Sequence, residues 1–187
     1  MGEQTQTSFE VVRENPDPGP EYAEKDAVLF NDGEYRFSLR RKWSEDDMTA
    51  CVVMVNPSVA DEDNPDKTVT TLARALHMLG FGEMIVVNLF PVVNSQRSVI
   101  RSHPDPQGEN TDEDNDQHIL EATEGSDAVF VAWGQDPDTK YSKEIEELLD
   151  LLPVTPYVLA QNKNGSPKHP GARENFYNSL NPVPYEK

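Results

Sequence analysis

One short apolar run constrains the fold of this chain more than any other feature. Residues 51–55, Cys-Val-Val-Met-Val, form a continuous run typical of a fully buried parallel strand. The run ends at Asn56-Pro57, where proline removes a backbone donor and keeps the preceding residue out of the helical region. In an open α/β sheet, ligands bind at loops that leave the carboxyl ends of strands. Asn56, Pro57 and Ser58 are therefore the first candidates for a functional site.

Apolar runs and amphipathic segments alternate after this strand. Further strands are predicted at residues 84–87, 128–132 and 157–160, and helices at 69–79, 115–122 and 142–152. This alternation predicts a three-layer α/β domain, in which a mostly parallel four-stranded sheet has helices on both faces.

A β-hairpin is predicted before the first parallel strand. Residues 27–30 and 35–43 flank Asn31-Asp32-Gly33, which is a typical turn sequence. The second hairpin strand alternates apolar and polar residues, and so favours a half-exposed antiparallel edge strand that extends the sheet. Residues 1–24 are polar and contain several prolines, so we expect a mobile arm there and a single α/β domain over residues 25–187.

The chain is strongly acidic, with 34 Asp and Glu against 16 Lys and Arg and a net charge of −18. An acidic globular surface suited to high salt is the favoured interpretation, because the acids are scattered along the chain. Recurring apolar segments disfavour a disordered chain, and mimicry of nucleic acid would require a continuous acidic face. The charge argues against nonspecific binding to nucleic acid or to an anionic membrane.

The sequence also predicts where the protein works and what it lacks. Cys51 is the single cysteine and lies in a predicted buried strand, so we interpret it as a small core residue in a reducing compartment. Neither a signal peptide nor an apolar run of about 20 residues is present. We therefore expect a soluble cytoplasmic protein without a membrane partner. Four dispersed histidines and the absence of a Gly-rich phosphate motif predict no metal and no cofactor.

Polar residues follow all four predicted parallel strands. They are Asn56-Pro57-Ser58, Asn88, Trp133-Gly134 and His169-Pro170, which parallel strands bring to one edge of the sheet. The loops at 89–104 and 161–173 carry basic residues and no acid, which suggests a site for an anion such as phosphate. The alternative is that these loops balance neighbouring acidic helices. Taken singly, Asn56 is also an ordinary turn residue and Trp133 an ordinary core residue.

An ordered set of motifs spans roughly residues 35–173. The set is Val55-Asn-Pro-Ser58, Ala60-Asp61, Asp66-Lys-Thr68, Val87-Asn-Leu-Phe90, Pro104-Asp-Pro106 with Gly108, Asn115-Asp116, Ala132-Trp-Gly134 and Pro167-Lys-His-Pro170. It resembles the prokaryotic domain-of-unknown-function family 1643, which implies no established activity.

A more distant resemblance does imply a chemistry. Asn56-Pro57, Asn88 and His169-Pro170 resemble strand-end motifs of the uracil-DNA glycosylase superfamily. That resemblance implies a uracil-DNA-glycosylase-like fold, and assigns water orientation to Asn56 and stabilisation of the departing base to His169, the two catalytic candidates. It implies contact of Asn88 with the base edge and of Lys168 and Arg173 with phosphates. The complete set of predicted substrate-binding residues is Pro57, Ser58, Asn88, Phe90, Trp133, Gly134, Lys168 and Arg173.

Three functional hypotheses follow. The leading one is a hydrolase of N-glycosidic bonds that acts on a nucleobase, a nucleotide or DNA. The second is a non-catalytic module that binds a nucleotide or nucleic acid at the same sheet edge. The third is an acidic protein whose N-terminal arm contacts another protein. Ser58 stands where the glycosylases with an Asn-Pro motif usually carry glycine, so the resemblance favours the fold more strongly than the activity.

Overall fold

One mixed β-sheet forms the centre of the molecule. The structure is a computed structural model that describes residues 9–10, 19–45, 47–58, 67–94, 100, 102–135 and 140–185, with the side chains of residues 172–174 excluded. In these residues the strands are β1 (Glu24–Phe30), β2 (Tyr35–Lys42), β3 (Met48–Met54), β4 (Phe81–Asn88), β5 (Ala128–Val131), β6 (Tyr157–Val158) and β7 (Val183–Pro184). The helices are α1 (Lys67–Met78), α2 (Asn115–Glu124), α3 (Ser142–Leu151) and α4 (Arg173–Tyr177).

The sheet has seven strands in the order β1-β2-β4-β3-β5-β6-β7. The central strands β4, β3, β5 and β6 run parallel, whereas the pairs β1-β2, β2-β4 and β6-β7 are antiparallel. The prediction of an α/β domain is confirmed, but the prediction of a mostly parallel four-stranded sheet is wrong, because the sheet is mixed and larger. No local pattern predicts β7, since a two-residue strand that ends in proline has no measurable periodicity.

Helices cover both faces of the sheet. Val52 and Met54 of β3 share one apolar cluster with α1 and with Phe176 of α4. Cys51 and Val53 point the other way, into a cluster that includes residues of α2 and α3. This alternation buries both faces of β3 and explains why its sequence is apolar without interruption. Burial also raises the pKa of the Cys51 thiol, in keeping with a core residue.

The helix α1 follows the predicted pattern. Val69, Leu72 and Leu76 repeat at helical spacing and are all buried against the sheet. Gly80 then adopts a φ of 83° and donates its N–H to the carbonyl of His77. A positive φ is tolerated by glycine at little cost, so this residue ends the helix and turns the chain into β4.

The hairpin forms where it was predicted, but β2 is not an edge strand. Asn31, Asp32 and Gly33 all have positive φ, and β2 pairs with β1 on one side and β4 on the other. Arg36, which the alternation assigned to an exposed face, is 2% exposed, and Arg41 is 0% exposed. The alternating pattern was misleading because polar side chains of β2 find partners across the sheet, as Arg40 does at 2.5 Å from Glu83.

Part of the predicted arm contacts the core. Residues 1–8 and 11–18 lie outside the described part of the chain, but Phe9 is described. The Phe9 ring lies 5.5 Å from Phe130 and 5.2 Å from Tyr157, measured between centroids. This residue therefore covers the apolar cluster beneath α1 and α4, a contact that the prediction of a mobile arm did not include.

Candidate functional site

A cavity of about 200 Å³ lies where β3 and β4 end and α1 begins. We call it the strand-end cavity. The described residues that line it are Arg36, Met54, Asn56, Ser58, Thr68, Val69, Leu72, Val86, Asn88, Asn94 and His169. Four of the predicted site residues, Asn56, Ser58, Asn88 and His169, are thus on the wall of one cavity.

Main-chain hydrogen bonds join the loops that follow β3 and β4. The N–H groups of Leu89 and Phe90 donate to the carbonyls of Met54 and Val55 at 2.9 and 2.8 Å. Further along, the Asn94 N–H donates to the Pro57 carbonyl at 3.0 Å. The two loops therefore extend the pairing of the strands beyond the sheet and hold one side of the cavity in place.

The Asn56 side chain has a defined orientation. Its Nδ2 donates to the carbonyls of Asn94 at 2.7 Å and of Pro57 at 3.0 Å. A carbonyl oxygen only accepts hydrogen bonds, so the amide has to present its nitrogen to these two atoms. Both amide hydrogens then form hydrogen bonds. Oδ1 accepts none from the described residues. Asn56 therefore offers a hydrogen-bond acceptor at the cavity.

The Asn88 side chain is buried and not satisfied. Asn88 is 1% exposed, and its Nδ2 has no hydrogen-bond partner in the described part of the chain. Its main-chain oxygen accepts a bond from Nδ2 of Asn115 at 3.0 Å. A buried donor without a partner costs about 1–3 kcal/mol, and such groups are rare in folded proteins. A ligand or a water molecule in the strand-end cavity would satisfy it.

His169 is held by the turn that follows it. Its Nδ1 accepts a hydrogen bond from the Gly171 N–H at 3.0 Å, so the proton of a neutral ring lies on Nε2. A Cβ at position 171 would come within 3.0 Å of Nδ1, which explains the glycine at this position. His169 therefore has a fixed ring and a donor at Nε2.

Arg36 is a cavity residue that the sequence analysis missed. It lies near the start of β2, and its N–H donates to the Pro91 carbonyl at 2.8 Å in the loop after β4. Because β2 is antiparallel to β4, the start of β2 reaches the edge at which β3 and β4 end. The signal for Arg36 would have been the pairing of β2 with β4. Thr68 and Asn94 also line the cavity and were not predicted.

Other predicted site residues are not on the cavity wall. Phe90 packs on Tyr141 at a centroid distance of 5.1 Å, and Trp133 packs on Tyr185 at 5.5 Å. Lys168 Nζ donates to the Asn175 carbonyl at 2.9 Å and to the Ser179 hydroxyl at 2.7 Å.

Pro57 contributes its carbonyl to the joined loops, and Gly134 is buried with a φ of 89°. The Arg173 side chain, the 61–66 loop, Arg97 and Arg101 lie outside the described residues.

The motif around Asp105 has a structural explanation. The Asp105 carboxylate accepts the N–H groups of Glu109 and Asn110, both at 2.9 Å. Burial by itself raises the pKa of Asp105, but these bonds, together with hydrogen bonds from the Asn110 and Tyr35 side chains, outweigh it, and the pKa lies below its ordinary value. Gly108 has a φ of 74° and a Cβ there would touch Phe37 at 3.4 Å. These contacts fold the loop that leads into α2.

The charges around the strand-end cavity differ from those of the whole chain. Arg36 lines it, and none of the described lining residues is Asp or Glu, although the chain contains 34 acids. Among the described residues, no group of three or more His, Cys, Asp or Glu side chains is arranged to hold a metal ion. No helix in the same part of the chain is long and apolar enough to cross a bilayer.

Comparison with known proteins identifies the family. Residues 36–171 match the family described as Protein of unknown function (DUF1643). The chain belongs to this family. The residues that match DUF1643 make up most of the chain and include every described lining residue of the strand-end cavity. No curated protein and no solved structure matches the chain, so the resemblance to the uracil-DNA glycosylase superfamily stays a prediction.

Proposed function

We propose that this DUF1643 protein hydrolyses an N-glycosidic bond of a ligand that carries a nucleobase. The observation that carries the proposal is the orientation of Asn56, whose Oδ1 is the remaining acceptor after both amide hydrogens bond to main-chain carbonyls. An acceptor held in this way can orient a water molecule by accepting a hydrogen bond from it. The water oxygen is then directed at the sugar C1′.

The other polar side chains of the strand-end cavity have roles in the same proposal. Asn88 contacts the base edge through the amide that lacks a partner in the described residues. The Nε2–H of His169 donates to a base oxygen as the bond to the sugar breaks. Asn88 ends β4, and Asn56 and His169 lie in the chain segments that follow β3 and β6, so one edge of the sheet supports the mutual arrangement of the three side chains.

Size and charge favour a small ligand over a long one. A cavity of about 200 Å³ is below the range of roughly 300–1,000 Å³ typical of pockets for drug-sized ligands. It suits a single nucleobase with the sugar outside. The net charge of −18 repels polyanions, and Lys168 is turned towards α4. A nucleoside or nucleotide is therefore favoured, with an extruded base of DNA as the alternative substrate.

Base release is the test of this proposal. The full chain is incubated with nucleosides, nucleotides and oligonucleotides that contain uracil, hypoxanthine or a thymine mismatch, at low and at molar salt, and free base is measured by chromatography. Release of no base from any of these substrates contradicts the proposal. Asn56→Ala should abolish activity, and so should Asn56→Asp, which sets a carboxylate oxygen against the two carbonyls that Nδ2 bonds. The exposed Asn178→Ala is the matched control.

A second function is favoured by one feature of Asn56. Its two donated hydrogen bonds join the loops after β3 and β4, and this structural role explains the residue without any catalysis. The alternative is a non-catalytic module that binds a nucleotide or nucleic acid in the strand-end cavity. It predicts saturable binding of a nucleoside or nucleotide with the ligand recovered intact, and release of a base rejects it.

A further inference from the structure

The closed end of the strand-end cavity has a different chemistry from its mouth. Arg36 and Asn88 are 2% and 1% exposed, whereas Asn56, Ser58 and His169 are partly exposed. These two are the most buried of the polar residues that line the cavity, and we take them to mark its closed end. The inner part of a ligand that fills the cavity contacts Arg36 and Asn88, and its outer part contacts the other three.

The deep side chains supply hydrogen-bond donors. A guanidinium group has five N–H donors and no acceptor, and its positive charge persists at all physiological pH values. Nδ2 of Asn88 adds a donor that has no partner among the described residues. Donors in this arrangement are complementary to oxygen atoms that only accept.

The first turn of α1 adds a positive potential from a second direction. Thr68 and Val69, at the start of this 12-residue helix, line the same cavity. A helix N-terminus carries a partial charge of about +0.5 and favours anions. The first turn contains no acidic residue, in a chain with 34 of them.

We propose that Arg36, Asn88 and the first turn of α1 form an oxyanion-binding site at the closed end of the strand-end cavity. Its role in a reaction rests on the function proposed above. When the C1′–N bond breaks, its electron pair leaves with the base, and the charge spreads to the carbonyl oxygens of the base. The water oxygen bonds to C1′, and a proton of that water neutralises the released base. Arg36 stabilises the anion at the moment when it forms.

The site selects a class of ligand. Groups with only acceptor oxygens fit it, either an oxo-substituted base that is acidic or a phosphate group. A base that presents an amino group there places donor against donor and is rejected. The glycosylase resemblance implies phosphate contacts for Lys168 and Arg173, whereas this site uses Arg36 of β2, which precedes the parallel strands in the chain.

Titration of the full chain with small probes tests the site. Inorganic phosphate, xanthine and cytosine are titrated by calorimetry, and the side-chain amide resonances of Asn88 are followed by NMR in the wild-type protein. Arg36→Gln should weaken binding of phosphate or xanthine by about tenfold or more, since a hydrogen bond to a charged group is lost. Lys163→Gln, which removes an exposed basic residue, should leave binding unchanged. Asn88→Asp places a carboxylate in the site and should abolish anion binding.

The outcomes test the oxyanion-binding site separately from the proposed hydrolase. Binding of phosphate alone identifies a phosphate ester as the ligand, and binding of xanthine alone identifies an acidic base; both support the site. Tight binding of cytosine, unshifted Asn88 resonances with both anions, or wild-type affinity in Arg36→Gln overturns it. If base release is nevertheless found, the proposed hydrolase stands without the oxyanion site. If anions bind and no nucleoside or nucleotide is bound or cleaved, the site stands and the hydrolase is rejected.

Discussion

Asn115 donates from Nδ2 to the main-chain oxygen of Asn88 at 3.0 Å, and so connects the first turn of α2 to the end of β4. The same nitrogen reaches the Leu89 oxygen at 3.3 Å. Asn115 is 6% exposed and does not line the strand-end cavity. It acts on the cavity through the main chain of Asn88, as a positioning residue.

Asn115→Leu should lower both the stability and the ligand affinity of the protein. Two carbonyls lose a buried donor, which we expect to reduce the free energy of unfolding by about 1–3 kcal/mol. The Asn88 amide then becomes more mobile, so anion affinity falls at temperatures where the variant is fully folded. Urea unfolding and phosphate titration measure the two effects. Asn178→Ala is the control, and unchanged affinity in a destabilised Asn115→Leu protein would show that the link to Asn88 is only structural.

Asp105 should make stability depend on pH on the acid side. Its pKa in the folded protein lies below the ordinary value of 3.8, so its stabilising contribution is present above that value and is lost as pH falls through the lower, folded-state pKa. Asp105→Asn should cost about 1–3 kcal/mol at neutral pH, because bonds from two N–H groups lose their charged acceptor. The difference from wild type should shrink in acid.

Urea unfolding at neutral pH and at a series of lower pH values measures this difference. The exposed Asp112→Asn, on the same loop, is the control. If the difference in free energy of unfolding between Asp105→Asn and wild type stays constant down to the lowest pH, the hydrogen bonds do not depend on a charged Asp105.

Phe9 should contribute to stability although it lies in the segment that the sequence predicts to be a mobile arm. Phe9→Ala removes ring contacts with Phe81, Phe130 and Tyr157. We expect a loss of about 1–3 kcal/mol, less than the 3–5 kcal/mol typical of a fully buried phenylalanine, because Phe9 is only partly buried. Thermal unfolding measures it, with the exposed Glu10→Ala as control. Equal stability of the two variants would place Phe9 outside the core in solution.

The parts of the fold that the sequence predicted are those with a local signal. The runs that became β3, β4 and β5 are apolar and bounded by turn residues, and α1 has a helical repeat of buried side chains. Each pattern is visible within about a dozen residues and needs no knowledge of distant partners. The loops after β3 and β4 followed from the general rule for ligand sites in α/β sheets.

The parts that were missed depend on pairing and on side-chain direction. Arg36 reaches the cavity because β2 pairs with β4, and the alternation in β2 gave the opposite expectation of an exposed edge. Lys168 adjoins His169 in sequence, but its amine bonds to the Asn175 carbonyl instead of facing the cavity. Neighbouring residues predict neither position. The position of Arg36 depends on the pairing of distant strands, and that of Lys168 depends on the chain folding back so that Asn175 is near.

The hydrogen bonds between the loops after β3 and β4 have a consequence for how a ligand is received. Two hydrogen bonds link Asn56 and Asn94: one from the Asn56 amide to the Asn94 carbonyl, and one from the Asn94 N–H to the Pro57 carbonyl. The conformational entropy of these loops is therefore lost when the chain folds, and not when the ligand arrives. A ligand that binds against this wall would not have to order it, so that entropic cost would not be subtracted from its affinity.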